Sequence, residues 1–144
     1  MNDRSQSAES QNGDAIEPNR IIFDAEQSNN ISRITDRFSN LECIDCARAI
    51  QNYAVENGIL GTKIKLKTPK GEGNDLIVDD SISSDEAISE NGKHEGVEFI
   101  NSNGEKVVFD NNHRIPVPTE QWIDNLFFRG MIYGQEFEIN REDF

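Results

Sequence analysis

Two cysteines, three residues apart, head a single apolar helical stripe, and that stripe constrains this chain more than any other feature. Cys43, Cys46, Ala47, Ile50, Tyr53 and Ala54 recur at the spacing of one face of a 3.6-residue helix. Glu42, Asp45, Arg48, Gln51, Asn52 and Glu56 fall mostly on the other side. Asn57-Gly58 supplies a left-handed exit for the helix. Asn40 is the expected N-cap, which puts Cys43 in the first turn. A helix with one apolar face must bury it against another layer, and the downstream sequence offers one.

Lys63-Ile64-Lys65-Leu66-Lys67 alternates with period two, the pattern of a half-buried strand. Pro69 to Asn74 reads as a glycine-rich loop, Leu76-Ile77-Val78 as a strand, and Ser81 to Glu90 as a polar loop with one helical turn. Val97-Glu98-Phe99 and Lys106-Val107-Val108-Phe109 flank Asn101-Ser102-Asn103-Gly104, a hairpin signal. Thr119 is the expected cap of a last helix with Trp122, Ile123, Leu126 and Phe127 inward, ended by Gly130. The alternating tail Gln135 to Ile139 reads as an edge strand. Helix first and antiparallel strands after give an α+β fold.

Length and composition set the limits. With 144 residues the chain fits one domain, which at this size buries about two-thirds of its unfolded surface. Residues 1–30 are polar and rich in Ser, Asn and Gln, so they read as a disordered or linker-like segment, disordered over 1–19 and with a short strand around Ile21, Ile22 and Phe23. Ile31, Ile34, Phe38 and Leu41 then recur at helical spacing, and the folded domain is expected over 31–144. Net charge is −13. Residues 1–40 carry −3, leaving −10 on the rest. A domain that acidic repels phosphate backbones, which argues against nucleic acid and anionic membranes as partners and favours a basic protein partner or substrate. No stretch approaches the ~20 apolar residues of a membrane-spanning helix, and Met1 to Ser5 lead into no hydrophobic signal core. Two cysteines so close do not make a disulfide framework.

The chemistry-bearing residues are Cys43, His94 and Asp110, the inventory of a nucleophilic cysteine hydrolase. Helix N-termini and imidazolium neighbours favour the attacking thiolate, and Cys43 lies one turn nearer the helix start than Cys46. His94 and Asp110 are equidistant from residue 102, inside the expected turn, so an antiparallel hairpin brings them together. A two-residue Asn103-Gly104 turn would instead pair His94 with His113, so Asp110, Asn111 and His113 all lie within reach. A carboxylate suits the role of orienting an imidazole. Other readings stay open. Both cysteines fit simple core packing, since free cysteine is among the most buried residue types. Cys43, Cys46, His94 and His113 include a C-x-x-C half of a zinc site, though the histidines stand 19 apart.

From about Phe38 onward the chain resembles the papain-fold toxin domains of bacterial polymorphic toxin systems, in particular the second such family. The resemblance rests on Leu41 to Ala47, Gly58 to Ile64, Ile88 to Val97, Val108 to His113 and Glu120 to Leu126, in that order and spacing. It implies a papain-like fold, with a nucleophile-bearing helix packed on an antiparallel sheet. It implies Cys43 as nucleophile, His94 as base and Asp110 as orienter, in a protease or protein glutamine deamidase that needs no cofactor or metal. Cys46 would then be a packing residue or a reversible disulfide partner. Papain-like proteases carry a Gln six residues before the nucleophile as oxyanion donor. Here that position is Arg37, leaving Asn40 or backbone N–H groups for the role. The resemblance also implies a cognate immunity protein, and a larger system that delivers the domain into the cytoplasm of a target cell.

Overall fold

The structure, a computed structural model, describes residues 23–144. The disorder expected of residues 1–19, and Ile21 and Ile22 of the expected strand, lie outside the described residues. Helix α1 spans Ala25–Thr35 and starts well before the boundary expected at residue 30. Two interactions place its start. The Asp24 carboxylate accepts from the Gln27 backbone N–H at 3.1 Å, an N-cap. Phe23, buried just ahead of it, stacks on Phe99 with ring centroids 4.8 Å apart. Neither an isolated Phe nor an Asp cap has a periodic signature, so composition alone placed the boundary too late.

Helix α2, Cys43–Glu56, buries Cys43, Cys46, Ala47, Ile50 and Ala54, five of the six residues of the expected stripe. Tyr53 is half-buried, with its hydroxyl accepting from Asn30 and donating to Gln27 of α1. Gly58 makes the exit at φ +70°. The strands are β1 (Thr62–Lys67), β2 (Ile77–Asp79), β3 (Ser83–Ser89), β4 (Lys93–Ile100), β5 (Lys106–Phe109), β6 (Val117–Pro118), β7 (Leu126–Phe127) and β8 (Glu138–Asp143), with helix α3 (Thr119–Asp124) between β6 and β7. They form a five-stranded sheet of order β6-β5-β4-β1-β8 and a three-stranded sheet of order β3-β2-β7. Every pairing is antiparallel.

Two cores lie on the two faces of the large sheet. Ile31, Ile34, Cys46, Ala47 and Ile50 of the helices meet Val97, Phe99 and Phe109 on one face. Ile64, Leu66 and Val108 on the other meet Trp122, Leu126, Phe128, Ile77 and Ile88. Residues 81–90 are mostly strand β3 rather than loop. The strand is an edge whose first residues are polar and largely exposed, and its register to β2 shifts twice, so no period-two signal survives in the sequence. The last helix stops at Asp124 instead of running to Gly130, because the chain turns into β7 and then a short 3₁₀ helix, Arg129–Tyr133. Burial there alternates: Leu126 and Phe128 are inside, while Phe127 is exposed. Thr119 makes no cap; its hydroxyl donates to Glu98 at 2.7 Å. No helix among the described residues is long and apolar enough to cross a membrane.

Candidate active site

Cys43 is the first residue of α2, and Glu42, not Asn40, occupies the N-cap position. The Glu42 side chain does not cap the helix. It accepts instead from the backbone N–H and hydroxyl of Ser39, folding the preceding turn onto itself. Within that turn Leu41 takes φ +74°, a left-handed conformation costing about 1 kcal/mol or more for a residue with a Cβ. Two amides hold the turn in place. Asn40 Nδ2 donates to the Ala87 carbonyl at 2.9 Å, and Asn111 Nδ2 donates to the Ser39 carbonyl at 2.8 Å. The second bond ties the end of β5 directly to the segment that presents Cys43.

His94 is the second residue of β4 and is fully buried. The hairpin pairs Val97 with Phe109, so it is centred on residue 103, one residue beyond the expected midpoint. Asp110 follows β5 directly, and His94 Nε2 still reaches its Oδ2 at 3.1 Å. With Nε2 taken by the carboxylate, Nδ1 is the ring nitrogen left for Cys43; it is buried and closes no well-formed hydrogen bond among the described residues. The Cys43 Sγ lies 4.0 Å from the carbonyl oxygen of Lys93, the residue before His94. Burial alone would push the His94 pKa down. Its hydrogen bond with Asp110 and the close approach of Cys43, and then the charges of both, outweigh burial and hold it up at about 9.

Asp110 is itself caged. Oδ2 accepts from His94 and from the Trp122 indole N–H at 2.8 Å. Oδ1 accepts from the Asn112 backbone N–H at 3.0 Å and from His113 Nδ1 at 2.8 Å. Burial would raise this carboxyl, but the hydrogen bonds from His113 and His94, with their charges, hold it well below the usual carboxylate range. His113 therefore does not take the place of Asp110 beside His94; it stands on the carboxylate's far side. Its Nε2 lies 3.3 Å from Asp79 Oδ2, close enough for an ion pair but without hydrogen-bond alignment. Burial pushes His113 down, and the Asp110 hydrogen bond and charge, then the Asp79 charge, carry it above its ordinary value against the opposing charge of His94.

The arrangement separates the sequence candidates. Cys43, His94 and Asp110 come together. Cys46 is wholly buried in the helix-side core; burial first, then the charges of Asp110, Cys43 and Glu42, push its thiol up to about 12. Such a thiol is inert at neutral pH. Asn40 has one N–H of its side-chain amide engaged with Ala87, which turns that amide toward β3, and Arg37 is exposed. Among the described residues no three His, Cys, Asp or Glu side chains are grouped to hold a metal ion, so the four zinc candidates do not converge. Sequence reasoning missed Asp79 and Trp122 as parts of the site. A buried indole N–H needs an acceptor, which was the available signal for Trp122; Asp79 lies in a three-residue strand and had none.

A family model described as papain fold toxin 2 matches residues 26–127. Comparison with curated proteins and with solved structures finds no match.

Proposed function

Because this chain belongs to the papain fold toxin 2 family, with the papain-like α+β fold that this implies, we propose that it is a cysteine hydrolase acting on protein amides, with Cys43 as nucleophile, His94 as acid–base and Asp110 as orienter. One observation carries the reading. A fully buried imidazole has one nitrogen on a carboxylate caged by four donors, while its other nitrogen is left for a cysteine at the start of a helix.

His94 takes the Cys43 thiol proton, giving a thiolate beside an imidazolium that the Asp110 carboxylate favours by holding the ring's pKa up at about 9. Sγ attacks the amide carbon, and the carbonyl π electrons move to oxygen. The oxyanion forms at the α2 N-terminus, whose first-turn N–H groups have no side-chain cap. As the C–N bond breaks, His94 gives its proton to the leaving nitrogen. A thioester on Cys43 remains. Water then attacks it while neutral His94 takes the water proton, and Sγ leaves with the acid as product. A Gln side chain gives Glu and ammonia; a peptide bond gives a cut chain. Asp110 keeps the ring oriented and its cation stabilised throughout, and His113 and Trp122 hold Asp110.

The family ties this domain to toxin action, so we further propose a protein substrate in the cytoplasm of a target cell, delivery by a larger system, and a cognate immunity protein that covers or distorts the site. Expression of wild type, Cys43→Ala and His94→Ala in a susceptible cell tests the chemistry. Wild type should arrest growth and both variants should be harmless at equal protein level. A toxic His94→Ala would refute the mechanism. Proteome-wide mass spectrometry on intoxicated cells separates the products: Gln-to-Glu conversion at intact chains, or new termini.

A further inference from the structure

A groove of about 420 Å³ opens beside the Cys43 turn, lined by Ile44 of α2 and by a charged set, Lys65, Lys67, Lys93, Glu95 and Glu138, in which the lysines outnumber the carboxylates. Its volume is that of a site for a few side chains. Ile44 is its exposed apolar wall, while Leu66 and its β8 partner Ile139 turn their side chains to the opposite face of the sheet, where Leu66 is buried in the core. Its position follows from the chain: Ile44 succeeds the nucleophile, and Lys93 precedes His94 and offers its carbonyl to Cys43 Sγ.

The charges are unusual for this molecule. Lys67 and Lys93 are direct cross-strand partners in the β1–β4 ladder. Like charges placed opposite each other destabilise a sheet. Both side chains are exposed, and neither is in an ion pair among the described residues. Glu138 is the partner of Lys67 on the β8 side, yet it closes no ion pair with it. Two rows along, Lys65 is neutralised by Glu142 at 3.1 Å. In a chain of net charge −13, a lysine pair that closes no ion pair among the described residues therefore flanks the groove, and Lys93 joins it to the nucleophile through the carbonyl that faces Cys43 Sγ.

We propose that this groove is a substrate subsite for an acidic peptide segment, with a carboxylate of the substrate bridging Lys67 and Lys93 and an apolar neighbour resting on Ile44. This rests on the reading of Cys43 as nucleophile and names the substrate class for that site: protein segments with Asp or Glu close to the amide that is attacked. The net negative charge of the domain disfavours acidic chains in general, so the lysine pair selects those that present the carboxylate at this one place.

Two probes of Cys43 test it, read residue by residue by mass spectrometry on the full chain. One is the ratio of alkylation by anionic iodoacetate to that by neutral iodoacetamide. The other is protection of Cys43 from iodoacetamide by hexaglutamate against hexalysine. In the double variant Lys67→Gln, Lys93→Gln the ratio should fall ~3-fold at low salt, with a smaller fall at high salt. Hexaglutamate should protect wild type better than hexalysine, and the variant should lose that preference. Lys106→Gln, at the exposed first residue of β5, should change neither. A ratio and a preference unmoved by the double variant, with Cys43 still reacting readily with iodoacetamide, would overturn the subsite and leave the nucleophile intact. A Cys43 no faster than Cys46 with iodoacetamide would overturn the nucleophile, and the subsite with it.

Discussion

Replacing Asp110 by Asn keeps the shape of the side chain and removes its charge, so it isolates what the caged carboxylate contributes. Asp110 accepts four hydrogen bonds, two on each oxygen. An amide can keep only one oxygen. If its NH₂ takes the Oδ2 place it faces the His94 and Trp122 N–H groups. If it takes the Oδ1 place it faces the Asn112 N–H, but neutral His113 can turn its lone pair toward it. The second orientation costs less and still leaves one buried donor unpaired. At ~1–3 kcal/mol for such a group, plus the weakened interactions of two imidazoles, the loss is about 2–4 kcal/mol. The cost also depends on pH. In wild type the folded His94 pKa is raised from 6.5 to about 9, so its stabilisation is fully present below about pH 6.5 and is lost as pH rises through 9. In Asp110→Asn the main cause of that rise is gone, and burial holds His94 neutral. The stability gap between the two proteins should therefore be largest near pH 6 and shrink by as much as ~3 kcal/mol on going above pH 9. Urea unfolding at both pH values, with reductant present, reads this. A gap that is equal at both values, or an Asp110→Asn as stable as wild type, would refute the coupling of His94 to Asp110.

Other perturbations separate packing from chemistry. Cys46→Ala should cost about 1–2 kcal/mol in urea unfolding, since it opens a small cavity in the helix-side core, while the toxicity of the folded protein persists. Gly96→Ala should be severely destabilising, because its Cβ would sit 2.6 Å from Val108 Cγ1 and 2.8 Å from Trp122 Cζ2, pressing on the indole that holds Asp110; a thermal midpoint within about 2 °C of wild type would contradict this. Leu41→Gly should leave stability unchanged or raise it by about 1 kcal/mol by relieving the left-handed strain, yet lower toxicity by loosening the turn before Cys43; a less stable variant of full toxicity would show the strain reading to be wrong.

The α+β layout and the approach of His94 to Asp110 were more legible in the sequence than the small sheet beside them. The α2 stripe was legible because five of its positions are buried at strict helical spacing, and the β4–β5 hairpin because Val97, Phe99, Val107 and Phe109 frame a turn. The hairpin alone brought His94 to Asp110, and a one-residue error in its centre did no harm because Asp110 lies at the strand's end, where the chain turns. The helix start was missed by two residues: Asn40 has the right chemistry for a cap but is drawn to the Ala87 carbonyl, a contact 47 residues away in sequence. The small sheet was largely illegible, since β2 and β7 are three and two residues long and β3 is bulged. Asp79 lies in that sheet, so the second histidine–carboxylate contact, behind Asp110, went unseen.

The pairing of Cys43 with His94 is tested most directly by the rate of Cys43 alkylation as a function of pH, in wild type and His94→Ala, with Cys46 as internal reference and unfolding used to confirm that both proteins are folded. A working pair predicts that Cys43 reacts readily at about pH 6, far faster than Cys46, and that His94→Ala removes this early reactivity, leaving a rate that climbs only toward ~8.5, the ordinary thiol range. A folded His94→Ala in which Cys43 keeps its wild-type profile would contradict it.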